Sequence, residues 1–179
     1  MSRKSVYAVA GVVSLAVTLV ACSSDEPAEP KTTASPTQAV SPSADKVSRE
    51  EGATQYMKLV APFNEALEKC SKVLNPLLDS GESSPSDFPS LREACKGMPE
   101  ANRSFADGLS KAKWPEEAQE SVKLLVDEVQ ADQLAWQGVS EARSHEDVFD
   151  PKYPLTEDGV AAGLVRAHLG LPPVEEIEE

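Results

Sequence analysis

From residue 48 to residue 171, apolar positions recur every three or four residues, the period of helices with one buried face. The first series is Tyr56, Leu59, Val60, Phe63, Leu67, Cys70, Val73, Leu74 and Leu77. Ser48-Arg49-Glu50-Glu51 precedes it as a capping-box pattern, a hydroxyl at the cap and a carboxylate three residues on. The spacing predicts a first helix from Ser48 to about Asn75-Pro76, where proline removes a backbone donor. A polar turn with Gly81, Ser83, Ser84 and Pro85 follows. The second helix is predicted from Phe88 to Ala112, with the seam Phe88, Leu91, Cys95, Met98, Asn102, Phe105, Leu109, Ala112. Its alternating steps of three and four are those of helices packed side by side.

Trp114-Pro115-Glu116-Glu117 reads as the start of a third helix, with proline in the first turn and acids at the positive end of the dipole. That helix carries Ala118, Val122, Leu125, Val126, Val129, Trp136 and Val139 and fades near Arg143. Residues 144–155, with Pro151 and Pro154, are expected to be irregular. Thr156 is expected to cap a shorter fourth helix carrying Val160, Ala161, Leu164, Val165, His168 and Leu169. Gly170 and Pro172-Pro173 stop it. No segment alternates as a strand does. The expected class is all-α, an antiparallel helical bundle of three long helices plus one shorter C-terminal helix.

Folding the first two helices back about the turn at 81–84 puts Cys70 and Cys95 at one height, both on the seam. A disulfide across the first hairpin is therefore expected. The same register puts Pro62 near Pro99 and Asn64 near Asn102. One reading of that level is a curved bundle with its backbone satisfied locally. The other is a partly polar waist that admits a ligand between the helices.

The pattern changes upstream. Arg3 and Lys4 precede an apolar run from Val6 to Val20, interrupted by Ser14 and Thr18. At about fifteen residues it is shorter than the roughly twenty a membrane-crossing helix needs, and it has the parts of a secretory signal. It closes on Leu19-Val20-Ala21-Cys22. These four residues resemble the lipobox of bacterial lipoproteins, in which the cysteine receives a diacylglyceryl group and becomes the new N-terminus. The resemblance implies lipidation of Cys22, with acyl chains such as palmitate, and a place on the outer face of a bacterial cell membrane. Two or more chains anchor stably where one does so marginally.

Residues 23–46 are rich in Ser, Thr, Ala and Pro, carry no aromatic residue, and cannot bury enough apolar surface to order themselves. As a flexible coil they would span about 25–30 Å, and about 75 Å as polyproline. The expected division is thus a signal peptide at 1–21, the lipidated cysteine and disordered tether at 22–46, a helical domain at 47–171 and an acidic tail at 172–179. With the closing Leu169-Gly170-Leu171-Pro172-Pro173, the whole resembles small uncharacterised actinobacterial lipoproteins, a resemblance that implies no activity.

Composition narrows the chemistry. There are 30 acidic against 17 basic side chains and a formal net charge of −13. Cleavage before Cys22 removes Arg3 and Lys4 and no acid. Such a balance disfavours nucleic acid and unaided docking on anionic lipid. With Cys22 assigned to lipid, Cys70 and Cys95 are an even pair in an oxidising compartment. His145 and His168 stand apart without metal-ligand spacing, so no metal or cofactor is expected. No nucleophile, phosphate-loop or dinucleotide motif is present. Asp127, Glu128 and Asp132 read as a solvated face, Trp136 as core, and Trp114 as a local staple. The expected function is a non-catalytic interaction or adaptor module with an envelope protein partner. The alternative is an envelope binding protein for a small or lipidic ligand held between the helices. An enzyme ranks third, and oligomeric state is left open.

Overall fold

The computed structural model describes residues 46–156 and 159–173. The signal peptide, Cys22 and nearly all of the expected tether lie outside these residues, as does most of the acidic tail. Among the described residues every regular element is helical and none is a strand. The long helices are α1 (Arg49–Ser80), α2 (Asp87–Cys95), α3 (Met98–Lys111), α4 (Gln119–Ala131), α5 (Gln133–Glu141) and α7 (Val160–Leu169), with a short α6 (His145–Phe149). A 3-10 turn, Glu116–Ala118, leads into α4.

Helix α1 starts where the capping box places it. The Ser48 side chain accepts from Glu51 N–H, and the Glu51 carboxylate accepts from Ser48 N–H. The Ser48 N–H bond, with the Ser48 hydroxyl beside it, holds the Glu51 carboxyl below its ordinary range. The predicted end at Asn75-Pro76 is wrong. The helix continues through Pro62 and Pro76 for 32 residues, about 48 Å, to Gly81 in the left-handed conformation (φ 65°). Both prolines are exposed, and so are Lys58 and Lys72, whose carbonyls lose their donors. At such exposed positions solvent can take the place of the missing bonds, and the helix continues past both prolines.

The other two predicted long helices are each split. The second breaks at Lys96-Gly97 into α2 and α3, and Pro99 falls at the start of α3, where its missing N–H costs nothing. The third breaks at Asp132 into α4 and α5. Residues 144–155 are not wholly irregular. Ser144 and Asp147 form a second capping box, which starts α6; the Arg143 N–H, with the bonds from Ser144, holds the Asp147 carboxyl below its ordinary range. Thr156 does not cap α7, whose N-cap is Gly159. Thr156 instead donates from its backbone to Asp132 at 2.8 Å. Gly170 (φ 69°) ends α7 as expected, with Leu171 N–H bonded to Arg166 O.

The core falls into two clusters. One joins Tyr56 and Val60 of α1 with Phe105 and Leu109 of α3, Val122 and Leu125 of α4, and Val165 and Leu169 of α7. The other joins Leu67, Cys70 and Leu74 with Phe88, Leu91, Cys95, Trp136, Val139 and Val148. Helix α1 runs unbroken past both, and α3 adds Met98 at its start to the second while its Phe105 and Leu109 belong to the first. The Cys70–Cys95 disulfide ties α1 to α2 inside the second cluster, where both residues are 0 % exposed. It occurs at the two positions the hairpin register selects.

The chain begins α1 at the end where it leaves α7, since Arg49 Nη2 donates to Ala167 O at 3.0 Å. Gly52 permits the closest approach there. A Cβ on it would lie 2.8 Å from Pro115 Cδ and 2.9 Å from Leu169 Cδ2. At the opposite end of α1, Ser83 Oγ meets His145 Nδ1 at 3.0 Å, and the imidazole stacks on Phe149.

Candidate functional site

The level singled out by the proline and asparagine arithmetic lies between the two clusters. Asn102 is 1 % exposed. Its Nδ2 donates to Val129 O at 2.8 Å and to Gln133 Oε1 at 3.0 Å, and Gln133 Nε2 donates to Pro99 O at 3.1 Å. This chain of amides ties the start of α3 to the α4–α5 break. Asn102 therefore serves the break at Asp132, rather than a carbonyl freed by Pro62 or Pro99. Asn64 is only half-buried. Outside Asn102 lies an open groove of about 170 Å³, lined by Arg103, Ala106, Asp107, Gln130 and Gln133. Asn102 Oδ1 is buried without a partner.

Charged and aromatic candidates fall as follows. Among the described residues no three His, Cys, Asp or Glu converge as metal ligands. His145 and His168 lie on different helices and bind different serines, since His168 Nδ1 meets Ser121 Oγ at 3.0 Å. Trp114 is nearly buried and donates from Nε1 to Leu109 O at 2.8 Å, stapling the turn after α3. Trp136 is core, with its Nε1 buried and unpartnered. Asp127 is exposed, but Glu128 is half-buried and accepts from Ala161 N–H at 3.4 Å. Burial pushes the Glu128 carboxyl above its ordinary range; the Ala161 bond opposes the shift and the nearby Asp132 charge adds to it. Burial likewise raises the Tyr56 phenol against the pull of Arg166. A raised carboxyl disfavours its charge in the fold, so Glu128 lowers stability as pH rises through its folded pKa.

A surface that the sequence reading did not single out lies on the other side of α4. Glu128 facing Ala161 and Ser121 facing His168 make α7 run against α4. That register sets Leu124 level with Leu164. Helix α7 buries Ala161, Val165 and Leu169 and exposes Val160, Gly163, Leu164, Ala167 and His168. The exposed set has helical spacing and is apolar except for His168. Val160 is 65 % exposed, Leu124 51 % and Leu164 43 %, so exposed apolar side chains stand on both helices in an apolar strip along the α4–α7 groove, with His168 at its end. A Cβ at Gly163 would meet nothing within 4 Å, so the strip's centre is open. Its signal was present in the sequence, since α7 is apolar on nearly all sides. Spacing alone does not say which of two apolar faces the fold covers.

The features above define an all-helical, disulfide-tied domain in which no described helix is long and apolar enough to cross a membrane. No family model, curated protein or solved structure was found to match the chain.

Proposed function

We propose that this chain is a lipid-anchored extracytoplasmic domain, a non-catalytic interaction or adaptor module at the bacterial cell envelope. Its fold is read as an antiparallel helical bundle in two tiers, held on the outer membrane face through Cys22 and the tether. The observation that carries the interaction reading is the apolar strip of Val160, Leu164 and Leu124, left uncovered beside a core that uses the opposite face of the same helix.

The ligand-binding alternative draws on the groove at Asn102. At about 170 Å³ and open to solvent, it is smaller than the roughly 300–1,000 Å³ of typical small-molecule pockets. The interaction reading is therefore preferred. Chemical crosslinking of the full-length chain in the cells that make it is expected to recover an envelope protein reproducibly above background. Recovery of nothing above background, from strains with normal amounts of the protein, would contradict the module.

A further inference from the structure

The strip between α4 and α7 also carries information about what covers it. Its apolar centre is Leu124, Val160 and Leu164, with Gly163 and Ala167 leaving room for a second backbone to approach. A helix laid along such a groove would set side chains three and four residues apart against it. The α4 flank is acidic, whereas α7 carries no acid. Residues 116–132 carry Glu116, Glu117, Glu120, Asp127, Glu128 and Asp132 against Lys123 as their one base. Glu120 and Asp127 are exposed and lie on the turns either side of Leu124.

A second copy is a poor occupant. Each chain carries a formal charge of −13, and a two-fold pairing through this strip would bring the acidic flanks of both copies together. A bare anionic lipid surface is disfavoured by the same sign of charge. Complementarity calls for the reverse pattern, an apolar ridge bordered by cations.

We infer that the α4–α7 groove docks a basic amphipathic helix of an envelope protein, its apolar ridge on Leu124, Val160 and Leu164 and its Lys or Arg side chains against Glu120 and Asp127. This rests on the interaction-module reading and names the surface and the chemistry of its partner. The apolar ridge supplies the contact that resists dissociation, and the flanking charges select the partner and its orientation.

The test places the photo-crosslinking residue benzoylphenylalanine at position 164, at 124, or at Ser84 in the far turn, in the full-length chain in the cells that make it. All three positions are exposed, so none disturbs the core. Illumination is expected to give an adduct at 164 and 124 and not at 84. Mass spectrometry of the crosslinked peptide is expected to show an apolar segment interspersed with Lys or Arg at helical spacing. Reversing the flank with Glu120→Lys and Asp127→Lys should lower the yield at 164 by about fivefold or more.

An adduct with a second copy, with lipid, or with a segment lacking that pattern would overturn the inference, as would a yield indifferent to charge reversal. An adduct at 84 alone would overturn this surface and leave the module reading standing. No adduct at any of the three, together with failed chemical crosslinking, would overturn both.

Discussion

Replacing Cys70 and Cys95 together by alanine is expected to lower the melting temperature by about 10–15 °C. The bridge closes a loop with a sequence separation of 25 residues. In the chain-entropy account, closing such a loop stabilises the fold by about 3 kcal/mol, and each kcal/mol moves the midpoint of a domain this size by about 4 °C. Against a typical total of about 5–15 kcal/mol, that is a large share. The loss should also be uneven. Both cysteines belong to the cluster of α2, α5, α6, Met98 at the start of α3 and the second half of α1, and α4, α7 and the rest of α3 share a different core. Hydrogen exchange of the double variant should therefore show α2 and α5 opening before α4 and α7. An unchanged midpoint, or opening that is uniform along the chain, would contradict this division.

Asn102→Asp is expected to cost about 3 kcal/mol or more at neutral pH. The wild-type side chain places an N–H₂ between two acceptors, Val129 O and Gln133 Oε1, at a site 1 % exposed. A carboxylate there faces both oxygens with no donor and carries a buried, uncompensated charge. The pH dependence follows from its sign. The introduced carboxyl would have a folded pKa above its unfolded value of about 3.9, so the folded state holds its proton longer. The charge penalty is then absent below about pH 4, grows as pH rises through the folded pKa, and is complete above it. Protonated, the acid can donate to Val129 O and recover part of the lost bonding. Asn102→Leu should cost about 1–3 kcal/mol, with no comparable pH dependence at this site. Denaturant unfolding of both variants between pH 4 and 8 checks this. Parallel curves for Asp and Leu would show that the amide is not the tie between the two tiers.

Those two sites differ in how far the sequence disclosed them. The disulfide was legible because a turn fixes the height of residues on both arms, and because the even pair remains once Cys22 is set apart. The capping box at Ser48 and the stop at Gly170 were legible for a related reason, since each is decided within one helical turn. The helix breaks were not. The seam Leu91, Cys95, Met98, Asn102 keeps its helical step across Lys96-Gly97, so periodicity hides the interruption. Gly97 followed by Pro99 was the signal that could have found it. At Asp132 there is no local signal at all, because the break is held by Asn102 from α3 and by Thr156 from the loop before α7. The same bond withdraws Thr156 from the cap expected of it. Pro76 misled in the opposite sense, because whether proline ends a helix depends on whether the freed carbonyl can reach water.

The exposed strip could not be assigned from the sequence for a deeper reason. Val160, Leu164 and Val165 all support a helix, but spacing cannot rank two apolar faces. Only the packing of Ala161, Val165 and Leu169 against α1 and α4 shows which face remains for a partner.

All of the functional account depends on where the domain is held. The most direct test is the intact mass of the full-length protein recovered from the cells that make it, compared with its Cys22→Ala variant after membrane fractionation. The account predicts a membrane-bound chain that has lost residues 1–21 and carries a diacylglyceryl modification on Cys22, with the variant left unprocessed or released. A chain that retains Met1, or an alanine variant processed and retained in the membrane like the parent, would contradict it.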